Sequence, residues 1–92
     1  MIYVDQAITL HFDIQQDITG YSALVVNVLK PDGTEIEWTP SVTLATAGTI
    51  YYDEDGSTIT IPGEYKMQPV VTISGGDYPG KTAKMFIHRR YD

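Results

Sequence analysis

Apolar residues in this chain recur at every second position in one stretch after another, and no window sustains the 3.6-residue period of a helix. A strand presents successive side chains to opposite faces, so the pattern confines the chain to half-buried β-structure. In "AITLHFDI", Ile8, Leu10, Phe12 and Ile14 share one face and Thr9, His11 and Asp13 the other. "ALVVNVLK" sets Leu24, Val26 and Val28 on one face; Ala23, Val25 and Leu29 make its second face apolar too, which predicts a central position. "TEIEW" turns Ile36 and Trp38 inward and Glu35 and Glu37 outward. Val42 and Leu44 pair in "SVTLAT", Ile50 and Tyr52 in "TIYYD", and Ile59 and Ile61 in "TITI". "EYKMQPVVTI" aligns Tyr65, Met67, Pro69, Val71 and Ile73, and "TAKMFIHRR" aligns Ala83, Met85 and Ile87.

Breakers separate these runs. Pro31-Asp32-Gly33 combines a fixed φ, a side chain that bonds the backbone beyond it, and a residue that accepts positive φ, so it reads as a tight turn. Pro40 cannot donate to a ladder and ends the strand that carries Trp38 or places it at an edge. "DEDGS" reads as a hairpin turn, and "SGGDYPG" as a flexible loop. The outcome is seven or eight short strands in an all-β antiparallel sandwich, one domain over residues 1–92. Residues 1–6 read as an extended N-terminal arm, a segment able to add to a neighbour's sheet.

A domain of 92 residues has one small core and little room for a deep pocket. It has no cysteine, which excludes disulfides and thiolate chemistry and suits folding in a cytoplasm. The N-terminal stretch lacks a basic segment followed by an apolar run, so no secretory signal is read there. No apolar run approaches a membrane span of about 20 residues, and no membrane partner is expected. Twelve acidic residues against six basic ones give a formal charge of −6, which opposes nucleic-acid binding. The charge is unevenly placed: Lys81, Lys84, Arg89 and Arg90 fall within the last twelve positions, and only Lys30 and Lys66 precede them. A basic last strand of this kind can meet the acidic flank of a neighbouring subunit.

The single tryptophan and the segment "PGEYKM" resemble the immunoglobulin-type pattern. In that pattern a tryptophan on the third strand packs at the core centre. A tyrosine opening the penultimate strand bonds back to the preceding corner. The resemblance makes Trp38 the packing centre and Tyr65 the corner residue. It also implies that Val26 and Met67 occupy the places of the inter-sheet half-cystines. The short turn at residues 31–33 fits a simple hairpin better than a sheet-to-sheet crossing, so the strand order is left open.

Four stretches extend the resemblance: Asp17-Ile18-Thr19-Gly20, Lys30-Pro31-Asp32-Gly33-Thr34, Gly48-Thr49-Ile50-Tyr51 and Pro62-Gly63-Glu64-Tyr65. In that order and spacing they are similar to small immunoglobulin-like domains of tailed-phage structural proteins, most closely the N-terminal domain of upper baseplate proteins. The resemblance implies a virion component assembled in the host cytoplasm. Its partners would be other virion proteins and copies of itself, and it would do no chemistry. Baseplate, neck, tail and head-decoration roles all fit that description.

No reactive constellation competes with this reading. His11 and His88 fall on outward faces of strands, and no Gly-x-Ser-x-Gly elbow surrounds any serine. Asp53-Glu54-Asp55-Gly56 resembles the opening of a calcium loop, but its glycine stands at the fourth position where the sixth is needed. No cofactor or metal is expected. Seven tyrosines exceed what so small a core needs, which points to contact surfaces. Tyr3, Tyr51, Tyr78 and Tyr91 are the surface candidates. The alternative is a carbohydrate-binding sandwich module, which requires coplanar exposed aromatics; Tyr51 and Tyr52 are adjacent and must point to opposite faces. The interface residues expected are Lys84, Arg89 and Arg90 on the last strand, with Asp53, Asp55 and Tyr78 on the loops.

Overall fold

The computed structural model describes residues 2–89. Nine strands run through them: β1 (Ile2–Tyr3), β2 (Ile8–Asp13), β3 (Ala23–Leu29), β4 (Glu35–Trp38), β5 (Ser41–Leu44), β6 (Thr49–Glu54), β7 (Gly63–Ile73), β8 (Gly76–Pro79) and β9 (Ala83–His88). They form a six-stranded sheet of order β1-β9-β7-β3-β4, with β8 also on β7, and a three-stranded sheet β2-β6-β5. The strand count exceeds the expected seven or eight because β1 and β8 were not read as strands. The order β2-β6-β5 against β9-β7-β3-β4 is that of a variable-type immunoglobulin sandwich.

Inward residues follow the alternation closely. Phe12, Ile14, Leu24, Val26, Val28, Trp38, Ile50, Tyr65, Met67, Val71, Met85 and Ile87 are all buried. Tyr65 donates its hydroxyl to the Ile61 carbonyl at 2.6 Å, four residues back, as a corner tyrosine does. Burial raises the pKa of this phenol, so it remains a donor.

One inference from the resemblance is overturned. Val26, Met67 and Trp38 do not face one another across the sandwich. Val26 on β3 pairs with Trp38 on β4 and with Pro69 on β7, and Val28 pairs with Met67, so all three residues lie in one sheet. The turn at Pro31-Asp32-Gly33 decides this. Gly33 donates to the Lys30 carbonyl at 2.9 Å and Lys30 to the Thr34 carbonyl at 2.8 Å, and Gly33 has φ +89°. That closes a hairpin, which keeps β3 and β4 neighbours.

Other expectations shift for local reasons. The first residues are not a free arm: Ile2 and Tyr3 pair in parallel with Ile87 and His88, the one parallel pairing among the described residues. Leu44 is 54 % exposed, because a register shift between Val42 and Leu44 turns it outward. Residues 55–62 form no strand; they cross from β6 to β7, so "DEDGS" opens a sheet-to-sheet connection and not a hairpin. Ile59 on that crossing is nevertheless fully buried. "SGGDYPG" is largely ordered: Ser74 and Gly75 both have positive φ, and Ile73 pairs with Gly76 to start β8. The partner line of β7 breaks opposite Pro69, between Met67–Ala83 and Val70–Pro79. A proline has no N–H for a ladder, and Gly80 there donates to the Pro69 carbonyl at 2.7 Å.

Candidate protein-contact face

The sequence-predicted contact residues do not gather at one place. Lys84 lies on β9, exposed on the outer face of the six-stranded sheet. Arg89 follows the end of that strand, five residues on, roughly 16 Å of extended chain away, and it is already engaged in an interaction of its own. Arg90 and Tyr91 lie outside the described residues. Asp53 is on β6, in the other sheet, accepting the Thr9 hydroxyl at 2.7 Å. Asp55 sits on the crossing, where the Ser57 hydroxyl and then its N–H hold the carboxyl below the usual carboxylate range. Tyr78 is 46 % exposed on β8. No single basic edge facing an acidic loop emerges from these positions.

Strand register assembles a different set. Lys84 stands directly opposite Lys66 on β7, Lys66 opposite Leu29 on β3, and Leu29 opposite Glu35 on β4. One row across the outer face therefore reads Glu35, Leu29, Lys66, Lys84, and every member is exposed. The neighbouring row reads Glu37, Asn27, Gln68. Within these two rows the acids stand on β4 and the lysines on β7 and β9, with Leu29, 38 % exposed, between them. Two lysines directly opposite across a ladder repel each other. Only Glu64, diagonal to Lys84 on β7, offsets that repulsion within the sheet. A shallow groove of about 790 Å³ lies over this face, lined by Asn27, Leu29, Glu35, Glu37, Lys66 and Gln68 among others. Lys66, Glu35 and Glu37 were not singled out from the sequence as contact residues. The two acids were legible as face-mates by their spacing of two; the lysine pair depended on a register set 18 residues apart.

The histidines fall on different sheets, His11 on β2 and His88 on β9. Among the described residues no group of three or more metal-ligating side chains converges. Exposed and half-buried rings do neighbour one another, but tilted: Phe86 and His88 at 61°, Tyr3 and His88 at 57°, His11 and Tyr51 at 39°. A sugar platform needs coplanar rings. The one near-parallel pair, Trp38 and Tyr52 at 8°, has its indole buried.

Comparisons give no relative to lean on. No family model, curated protein or solved structure matches the chain.

Proposed function

We propose that this chain is a structural module of a tailed phage or prophage virion that acts by docking to other proteins and carries out no reaction. The observation that carries the reading is the outer face of the six-stranded sheet. Across it Glu35 and Glu37 on β4 stand on one side of exposed Leu29, and Lys66 and Lys84 on β7 and β9 stand on the other, an arrangement suited to orienting a protein partner. The sequence stretches that resemble phage structural domains add support. Their four glycines, Gly20, Gly33, Gly48 and Gly63, all have positive φ, so the shared residues specify turn geometry. At Gly48 the requirement is steric as well, since a Cβ would stand 2.2 Å from the Gln16 carbonyl oxygen.

The direct test is mass spectrometry of intact particles purified by density gradient from a culture producing the phage. The expected result is this chain at constant ratio to the major tail or head proteins. Its presence in the lysate with complete absence from intact particles would end the virion reading.

A further inference from the structure

We propose that two copies of this chain dock face to face through the outer surface of the six-stranded sheet, across a two-fold axis parallel to the strands and midway between β3 and β7. The strand register leads there. Across that face the columns run β4, β3, β7, β9. A two-fold along the strands reverses the column order and keeps the rows level. The second copy's β4 then lies over β9, and its β3 over β7. Its Glu35 meets Lys84 and its Leu29 meets the aliphatic stem of Lys66, which are the charge and shape each position lacks within one chain. In the next row its Asn27 meets Gln68. Gln68 already donates its amide to the Gly80 carbonyl at 3.1 Å, so its own oxygen is left to accept.

The contact is isologous, with every pairing made twice, so it closes as a dimer and does not propagate as a fibre. The lysine pair is its strongest argument. Lys66 beside Lys84 is a repulsive arrangement that leaves net positive charge even with Glu64 next to it, and acids of a second copy neutralise what remains. Leu29, exposed at 38 % at the end of β3 and in a column next to the two-fold, supplies the apolar contact. The dimer does not require a particle, so the virion reading and this one can fail separately.

Sedimentation equilibrium on the purified full chain tests it, with circular dichroism melts confirming that each variant is folded. The wild type is expected to dimerise at micromolar to sub-millimolar concentration. Lys84→Glu and Glu35→Lys should each weaken the dimer at least tenfold, because each places like charges together twice. The double variant carrying both should return to within about threefold of wild type. Each copy carries −6 overall, so added salt screens whole-molecule repulsion as well as these pairs; the charge exchange is therefore the discriminating measurement. Leu29→Lys, which sets a further ammonium against Lys66 of the other copy, should abolish the dimer and leave the melting transition in place. A wild type that stays monomeric at sub-millimolar concentration overturns the proposal. So does a dimer that both single charge reversals leave unchanged, or a folded double variant that stays as weak as the single variants.

Discussion

The two long sides of the sandwich are closed in opposite ways. Where β4 meets β6, the Trp38 indole stacks on Tyr52 with ring centroids 4.7 Å apart. Its N–H donates to the Thr58 hydroxyl at 3.0 Å, and Thr58 donates in turn to the carboxylate of buried Glu54. The same carboxylate accepts the Gly56 N–H at 2.8 Å, which ties down the crossing that follows β6. Where β2 meets β9, no strand lies beyond β2 in its sheet. A cavity of about 480 Å³ opens there among Ile2, Leu10, Phe12, Met67, Ala83 and Met85. One side is shut by stacked rings and a satisfied polar chain, the other mainly by apolar side chains, with His11, Lys84 and His88 at the mouth. Polar groups that must be paired tolerate few geometries, whereas an apolar rim tolerates many. The indole side is thus where the fold concentrates its stability and its specificity.

Trp38→Ala tests that contrast most severely. Removing the indole should cost about 3–5 kcal/mol in urea unfolding, a large share of the roughly 5–14 kcal/mol expected for a chain this size. A loss under about 1 kcal/mol would mean the two sides are equivalent. Thr58→Val keeps the side-chain shape and removes the hydroxyl between indole and carboxylate. The indole N–H would then lack a partner and the Glu54 carboxylate would keep only its backbone donors, with an expected cost of about 1–3 kcal/mol. No measurable cost would show that the chain from Trp38 to Glu54 contributes nothing net. On the open side, Met85→Leu conserves volume next to a gap and should cost less than about 1.5 kcal/mol. If it cost as much as Thr58→Val, the β2–β9 side would have to be as tightly specified as the other.

Much of the core was legible because burial in a strand follows parity. Ile8 to Ile14, Leu24 to Val28 and Tyr65 to Ile73 needed only the alternation. Turn chemistry was legible for a similarly local reason: Asp32 bonds the Thr34 N–H at 2.9 Å and Gly33 takes the positive φ it alone takes freely. Leu44 was misread because a bulge changes parity partway along a strand, and no residue in "SVTLAT" announces one. Residues 58–61 on the crossing read as a strand because Ile59 and Ile61 alternate with threonines, although only Ile59 is fully buried and the segment joins no ladder. The contact face was hardest. Lys66 and Lys84 are ordinary exposed lysines until the β7–β9 register sets one opposite the other.

By itself, the order of residues determined that the chain is built of strands, which side of most of them is buried, where several turns fall, and that Trp38 and Tyr65 belong inside. These are properties of neighbours along the chain, fixed by side-chain parity and by the few residue types that accept turn dihedrals. The tertiary structure decided that Val26, Met67 and Trp38 share one sheet, that the polar chain from Trp38 to Glu54 closes one side, and that four strands bring Glu35, Glu37, Lys66 and Lys84 onto one face. Those outcomes depend on which strands pair and in what register. Pairing is settled by the summed burial of the whole core, and no short stretch of sequence carries that sum.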